Sequence, residues 1–353
     1  GAACGASVRG LLAKAQENPF NLSRPPSTPP MLPLFLLFAA LLLGFLILFW
    51  SADRFVIGSI ATARNLDISP MVIGLTAVAL GTSAPEIFVS LTSSTQGEPE
   101  LAVGNAIGSN IANIGMVLGI TALIVPLPFR VDTLRNDLPV LAFVTLCAGA
   151  SLWDNYLGLW DGLLLFGGLA LFLYRLAVEQ RGKSELELAA EISEFGDAEG
   201  MATSKALGML LLSLVCLLVS AEILVWSVVQ IAERMGISEM IIGLTVIAIG
   251  TSLPELVVSI TSSIKGYTDL AIGNIVGSNI FNLLAVLSIP CIVSPTQLAP
   301  EVLTRDYLIM LVLTVVLLAF AYGLSGTARI TRVKGGLMFA GWIAYMYSLY
   351  YIA

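Results

Sequence analysis

Long apolar stretches separated by short polar breaks run along nearly the whole chain from Met31 onward. A helix needs roughly 20 apolar residues to cross about 30 Å of hydrocarbon, and a stretch of this kind recurs ten times. The pattern therefore predicts ten membrane-spanning helices. They are expected at 31–52, 70–92, 101–125, 137–153, 156–177, 205–230, 239–262, 269–293, 306–324 and 335–352.

The apolar pattern falls into two halves that match at one fixed offset. Residues 68–118 align without a gap to residues 237–287, an offset of 169, and 30 of the 51 positions are identical. Gly81-Thr-Ser-Ala-Pro-Glu86 returns as Gly250-Thr-Ser-Leu-Pro-Glu255. We therefore predict a first five-helix repeat at 31–177, a linker at 178–204 and a second five-helix repeat at 205–353.

Five spans in each half is an odd number, so the second half must enter the membrane from the side opposite to the first, as in the inverted repeats of secondary transporters. Lysine and arginine concentrate in cytoplasmic loops. Twelve of the 17 follow predicted spans 1, 3, 5, 7 and 9, whereas two lie on the other side and three in the N-terminal tail. We expect an all-α polytopic membrane protein with ten transmembrane helices in two inverted five-helix repeats. Both termini are predicted outside and the 178–204 linker in the cytoplasm.

The composition supports a membrane protein and narrows its chemistry. The chain is 57% hydrophobic and 12% charged, which is far from the average of soluble domains, and we expect it in the bacterial inner membrane. The net charge of −7 comes largely from the acidic linker, so it says little about ligands. Residues 1–30 are polar and proline-rich, and they are expected to be a disordered tail or a segment foreign to the native protein.

Histidine and cysteine limit the kinds of catalytic and metal sites that the chain can form. The sequence contains no histidine, the commonest transition-metal ligand and general base. Its four cysteines have no paired spacing, so neither a disulfide framework nor a zinc site is implied.

Two glutamates lie well inside apolar spans. A carboxylate there costs at least about 2.5 to 3.5 kcal/mol unless it finds a partner. Glu86 and Glu255 occupy equivalent places in the two halves, so inverted repeats would bring them together near the midplane. The alternative is that each carboxylate is hydrogen-bonded to a neighbouring helix.

Each glutamate follows a proline that is expected to open its helix. Proline lacks an N–H and clashes with the carbonyl four residues back, so Pro85 and Pro254 should break the helices near Gly81 and Gly250. Broken backbone at this depth is tolerated where it lines a cavity. The oxygen donors expected to converge there are the carbonyls of Ala79 and Ala248 and the hydroxyls of Thr82, Ser83, Thr251 and Ser252.

The following span of each half carries a second set of polar side chains. Ser109 and Asn113 are spaced i, i+4, as are Ser278 and Asn282, so each pair shares one helix face and could complete an oxygen shell. Calcium takes 6 to 8 such ligands at about 2.3–2.6 Å, and sodium could use a few of them. The alternative for Gly-Ser-Asn is helix packing, which we favour for the glycines. Acidic residues near the span ends, including Asp137, are expected to be solvated at the interface.

The doubled Gly-Thr-Ser-X-Pro-Glu and Gly-Ser-Asn-Ile-X-Asn motifs resemble the alpha repeats of the cation/calcium antiporter superfamily, and most of all its prokaryotic sodium/calcium exchangers. The resemblance covers the chain after Met31. It implies exchange of sodium for calcium by alternating access, with spans 1 and 6 sliding across the rest. The implied cation ligands are Ala79, Thr82, Ser83, Glu86, Ser109, Asn113, Ala248, Thr251, Ser252, Glu255, Ser278 and Asn282.

One residue departs from part of the family. Some members, including potassium-dependent exchangers, have Asp where this chain has Asn282. Two carboxylates remain, which balance one calcium charge for charge. The departure argues against potassium dependence and leaves the sodium stoichiometry open.

The leading hypothesis is therefore a sodium/calcium antiporter rather than an enzyme. Calcium and sodium bind as substrates, no cofactor is expected, and membrane lipid is the expected partner, with no nucleic acid and no obligate protein. A calcium/proton antiporter using the same glutamates is the main alternative. A passive channel fits inverted repeats less well. A hydrolase using Ser83 or Ser252 would lack a histidine base.

Overall fold

The computed structural model describes residues 33–182, 201–236, 248–323 and 328–352, and helices dominate all four ranges. The helices of the first half are α1 (Leu34–Asn65), α2 (Pro70–Thr82), α3 (Ala84–Thr95), α4 (Pro99–Ile124), α5 (Leu138–Ser151) and α6 (Leu159–Gly182). Those of the second half are α7 (Thr203–Arg234), α8 (Ala248–Thr251), α9 (Leu253–Ile264), α10 (Thr268–Val293), α11 (Val302–Ala321) and α12 (Arg332–Ile352).

Within the described ranges, four two-residue strands join the halves. They are β1 (Leu127–Pro128), β2 (Tyr156–Leu157), β3 (Thr296–Gln297) and β4 (Arg329–Ile330). Strand β1 pairs antiparallel with β4, and β2 pairs antiparallel with β3. Each small sheet therefore contains one strand from each half.

The sequence offset recurs in the bounds of the helices. Helix α7 begins 169 residues after α1, and the same shift relates α3 to α9 and α4 to α10. Even the local irregularities repeat, because wider π-helical turns begin at Asn113 in α4 and at Asn282 in α10. The two halves thus share local backbone structure as well as sequence.

Six of the helices are long and apolar enough to cross a membrane: α1, α4, α6, α7, α10 and α11. The bent pair α2–α3 would make a seventh span. Other predicted spans contain shorter helices, such as the 14-residue α5 and the 12-residue α9, or the tyrosine-rich α12. The predicted tail at 1–30, residues 183–200 of the linker and residues 237–247 of the seventh predicted span lie outside the described ranges.

The first helix of each half is longer than predicted. The apolar stretch ends near Ala52, yet α1 continues to Asn65. Asp53 is accommodated because its Oδ1 lies 2.7 Å from Lys265 Nζ at the end of α9. The helix therefore continues past its apolar stretch as a polar extension.

Helices α4 and α10 form the centre of the molecule. In the apolar window of each, 78% and 89% of residues are buried, against 22% in α1 and in α6. Glycines let α10 approach α2, since a Cβ added at Gly277 would lie 2.7 Å from the Ala79 Cβ. Close packing through small residues is typical of membrane helices, and it brings the motifs of the two halves together.

Candidate functional site

The predicted break in the first half is present, two residues later than expected. Helices α2 and α3 meet at Ser83 with a bend of 45°. Pro85 lies in the first turn of α3, where the missing N–H leaves no hydrogen bond unmade. The Ala79 carbonyl does not become free as predicted, because it accepts the Ser83 N–H at 3.0 Å.

The second half contains the equivalent break. Helix α8 ends at Thr251 and α9 begins at Leu253, so Ser252 lies between them with Pro254 in the first turn of α9. Ala248 begins α8, and its side chain lies outside the described part of the structure.

Glu86 and Glu255 are both fully buried, each in the first turn of the helix that follows its break. Both carboxylate oxygens of Glu86, and Oε2 of Glu255, have no hydrogen-bond partner among the described residues. The Ser109 hydroxyl lies beside Glu86, without hydrogen-bonding geometry. Because neither carboxylate oxygen of Glu86 bonds to a described residue, the hypothesis that each glutamate is hydrogen-bonded to a neighbouring helix does not describe Glu86.

A hydrogen bond connects the two halves at the carboxylates. Ser83 Oγ, from the first break, donates to Glu255 Oε1 at 3.2 Å. Beside it, Thr82 Oγ1 lies 3.1 Å from Asn274 Oδ1 and 3.5 Å from Ser278 Oγ. The first break therefore packs directly on α10, the helix of the second half that carries Ser278 and Asn282.

The central helices contribute the remaining predicted residues. Asn113 and Asn282 are fully buried at the start of their π-helical turns, and no hydrogen bond to a described residue satisfies either side-chain amide. Ser109 and Ser278 are buried one turn earlier on the same faces. Buried polar groups are nearly always paired, so this concentration of unpaired oxygens indicates a ligand site.

The contacts of the two halves differ. Ser83 binds Glu255, but its equivalent Ser252 is buried and its hydroxyl has no partner within the described ranges. Thr82 is fully buried, whereas its equivalent Thr251 is half-buried. One sequence motif thus takes two different environments in one structure.

Two asparagines contact the site although the sequence analysis assigned them no role. Asn105 Nδ2 donates to the Glu86 carbonyl oxygen at 3.1 Å. Asn274 Nδ2 lies 3.4 Å from the Glu255 carbonyl oxygen and 3.0 Å from Ser259 Oγ. The sequence could have predicted the position of Asn105, because it precedes Ser109 by four residues and therefore lies on the same helix face.

The prediction that Asp137 is solvated at the membrane interface is wrong. Its side chain is buried, and Oδ1 lies 3.6 Å from Arg175 Nη2 on α6. The charge is accommodated by a neighbouring cation rather than by solvent.

The chemistry of the site is that of oxygen. In the described part of the chain, no three His, Cys, Asp or Glu side chains lie close enough together to hold a metal ion by themselves. Two carboxylates, with hydroxyl and amide oxygens around them, make a set of hard ligands that suits calcium or sodium.

Comparison with known proteins identifies the family of the chain. The profile of the family described as "Sodium/calcium exchanger protein" matches residues 36–178 and again residues 205–351. The chain is 45% identical over 312 residues to "Putative antiporter CaxA" of Alkalimonas amylolytica, covering 88% of this chain and 97% of that protein. It is 38% identical to "Inner membrane protein YrbG" of Escherichia coli strain K12, covering 89% and 97%.

A solved structure is also similar over nearly the full length. The sodium-calcium exchanger NCX_Mj, soaked with 2.5 mM Na+ and 0.1 mM Ca2+, superposes with a TM-score of 0.76 at 32% identity. The match covers 89% of this chain and 98% of NCX_Mj. Two matches to one family profile, relatives of the same length and a shared fold lead to one conclusion: the chain is a membrane antiporter that belongs to the sodium/calcium exchanger family.

Proposed function

We propose that this protein exchanges sodium for calcium by alternating access, and that the transported ion binds between Glu86 and Glu255. The observation that carries the proposal is the pair of fully buried carboxylates, three of whose four oxygens lack a partner within the described residues. A buried carboxylate left without a partner is costly, and a cation bound between the two would satisfy both.

The charge and ligand types favour calcium. Two carboxylates balance one divalent ion, and the hydroxyls and amides nearby are neutral oxygen donors. The proposed ligands are the twelve residues expected from the sequence. Among them, the Ala79 carbonyl oxygen already accepts the Ser83 N–H at 3.0 Å and the Thr82 hydroxyl at 3.3 Å, so it would have to exchange one of these bonds for the ion. Sodium would use an overlapping subset of the same oxygens, so the two ions compete, and competition at one site is what exchange requires.

The strand pairings support an inverted arrangement of ten spans. Helix α5 lies between β1 and β2 in the chain, so a single span separates them and they belong to opposite ends of the bundle. Strand β3, the repeat equivalent of β1, pairs with β2. Equivalent strands of the two halves would therefore lie at opposite membrane faces, as inverted repeats require.

The unequal contacts of the two breaks support alternating access. Ser83 reaches Glu255, while Ser252 reaches no described partner. In a transporter built from inverted repeats, the two halves exchange conformations when the site changes sides. We expect the opposite state to pair Ser252 with Glu86 and to release Ser83, with α1 and α7 as the sliding helices.

We also propose placement in a bacterial inner membrane, with both termini outside and the 178–204 linker in the cytoplasm. The excess of lysine and arginine after alternate spans supports this orientation. A relative named an inner membrane protein supports the compartment.

Proteoliposomes test the proposal directly. Vesicles loaded with sodium and diluted into sodium-free buffer should take up calcium. Glu86→Gln removes a charged ligand and should lower uptake about tenfold or more. The matched control is Glu100→Gln, because Glu100 is exposed at the start of α4 and its loss should change uptake little. Equal uptake in both variants would contradict the assigned site.

The main alternative is calcium/proton antiport through the same glutamates. It is favoured by the burial of two carboxylates with three of their four oxygens unpaired among the described residues, because a proton can satisfy such an oxygen as a cation does. Replacing the sodium gradient by a pH gradient in the same vesicles separates the two functions. Calcium uptake driven by the pH gradient and indifferent to sodium would establish the alternative.

A further inference from the structure

An apolar cluster joins α1 to one face of α9 and to the start of α10. Val257 on α9 is 4% exposed and Leu270 on α10 is fully buried, and both belong to the cluster that contains Phe55 of α1. An ion pair lies beside this cluster, because Lys265 Nζ at the end of α9 is 2.7 Å from Asp53 Oδ1 on α1. The contact of α1 with the second half therefore has an apolar part and a charged part.

The equivalent face of the first half is not covered in this way. Phe88 on α3 and Leu101 on α4 correspond to Val257 and Leu270 at the repeat offset of 169. They are 68% and 56% exposed. Gln96, which corresponds to the lysine of the ion pair, is exposed as well. Equivalent surfaces of the two halves are thus covered in the second half and uncovered in the first.

Alternating access would exchange these two environments. The inference rests here on the proposed function, in which α1 and α7 slide against the remaining helices. In the opposite state, α1 would leave α9, and α7 would cover α3 as α1 now covers α9. The pair of Asp53 with Lys265 would break, and Glu222 on α7, the repeat equivalent of Asp53, would approach Gln96.

The charges near the existing ion pair favour the contact. Arg54 follows Asp53 on α1. Asp269 follows Lys265 by four residues, and its Oδ2 lies 3.3 Å from Arg130 Nη1. The two cations and one anion on the α9 side leave a net positive charge near Asp53.

The charges at the equivalent turn of the first half oppose the contact. Gln96 is neutral, and the exposed carboxylates of Glu98 and Glu100 follow it within four residues. Glu222 would therefore approach an acidic turn rather than a lysine. Coulomb's law makes the contact attractive in the second half and repulsive in the first.

We propose that the Asp53–Lys265 ion pair is a conformational latch that holds α1 against α9, and that the neutral Gln96 leaves the opposite state without an equivalent latch. The transporter is therefore biased towards the state of this structure. In the proposed orientation the latched side is the cytoplasmic one. Both side chains are partly exposed, and such a pair contributes only modestly, so the bias should be about two- to fivefold. A bias of this size still lets α1 slide in every transport cycle.

The reactivity of a buried reporter cysteine measures this bias. In a full-length background without other cysteines, Leu270→Cys lies in the cluster under α1 and should react with a maleimide only when α1 moves away. The rate is measured in detergent with neither sodium nor calcium present. Asp53→Asn removes the ion pair. Asp67→Asn is its matched control, because Asp67 is an exposed carboxylate just after the end of α1.

Asp53→Asn should raise the labelling rate about two- to fivefold, and Asp67→Asn should leave it unchanged. The exchanged pair, Asp53→Lys with Lys265→Asp, should return the rate towards that of the parent, which distinguishes a lost ion pair from a damaged fold. Gln96→Lys should also raise the rate, because it gives Glu222 a partner in the opposite state. Adding Glu222→Gln should abolish that rise.

Equal labelling rates in Asp53→Asn and Asp67→Asn would overturn the latch, as would an exchanged pair that labels as fast as Asp53→Asn. A rate that does not respond to Gln96→Lys would overturn the proposed origin of the bias. The measurement needs no transport. Sodium-driven calcium uptake with no effect of the pair on labelling would therefore refute the latch alone, and the expected labelling without such uptake would refute the proposed exchange alone.

Discussion

At the scale of single residues, the unpaired oxygens of Glu86 and Glu255 are stronger evidence for an ion site than the paired ones. A folded protein rarely buries polar atoms without partners, yet the side-chain amides of Asn113 and Asn282 are buried with no partner among the described residues. The hydrogen bonds that are present position the backbone and hydroxyl groups next to the glutamates. Asn274 is the clearest example, because it contacts Thr82, Ser259 and the Glu255 carbonyl oxygen at once.

Asn274→Ala should weaken both the fold and ion binding. The substitution leaves Thr82 and Ser259 without an amide partner, so the free energy of unfolding should fall by about 1–3 kcal/mol. The calcium-induced rise in the unfolding temperature should fall with it, since Thr82 and Glu255 lose their support. Thermal unfolding in detergent, with and without calcium, measures both effects.

The matched control for this prediction is Asn279→Ala. Asn279 lies on the same helix, and its Nδ2 donates to the Ile275 carbonyl oxygen of that helix. Its removal should leave the calcium-induced stabilisation unchanged. If the two variants lose the same stabilisation, Asn274 has no special part in positioning the site.

At the scale of elements, the site depends on how closely α10 approaches α2. Gly277 makes that approach possible, since a Cβ there would lie 2.9 Å from the Leu75 backbone as well as 2.7 Å from the Ala79 Cβ. Backbone atoms at these distances yield only if a helix shifts. A shift of α2 would move Thr82 and Ser83 away from α10 and from Glu255.

Gly277→Ala should therefore be destabilising, by about 1–3 kcal/mol as for other overpacked sites, and should lower calcium uptake. Gly208→Ala is the control, because Gly208 is also helical and has no neighbour within 4 Å of an added Cβ. There alanine should be neutral or stabilise the helix by up to about 1 kcal/mol. Thermal unfolding and vesicle uptake of both variants check the prediction, which fails if Gly277→Ala is as stable and active as the control.

At the scale of the whole molecule, duplication is what made the sequence informative. The offset of 169 was visible in the residues, and it returned in the bounds of α3 and α9 and in both π-helical turns. The convergence of Glu86 and Glu255 followed from treating the halves as inverted. Apolar patterns also located the helices, since lipid and core both demand apolar side chains.

Other features could not be predicted because they depend on contacts between distant segments. Asp53 in the polar extension of α1 pairs with Lys265 of the other half, and buried Asp137 pairs with Arg175. The difference between Ser83 and Ser252 depends on conformation, since their local sequences are nearly the same. Periodicity carries no information on any of these.

Inversion of the halves predicts opposite labelling at equivalent positions. Gln96 and Lys265 are both exposed and are related by the repeat offset. In a background without other cysteines, Gln96→Cys should react with an impermeant maleimide from outside the cell, and Lys265→Cys from the cytoplasmic side. Labelling of both from one side would show that the halves are parallel.

The most direct test of the central claim is an anomalous difference map from crystals soaked in calcium. The account predicts a peak between the Glu86 and Glu255 carboxylates, with oxygens of both at about 2.3–2.6 Å, and its loss when sodium replaces calcium. Carboxylates that lie apart with no ion between them, or a calcium peak elsewhere in the molecule, would contradict it.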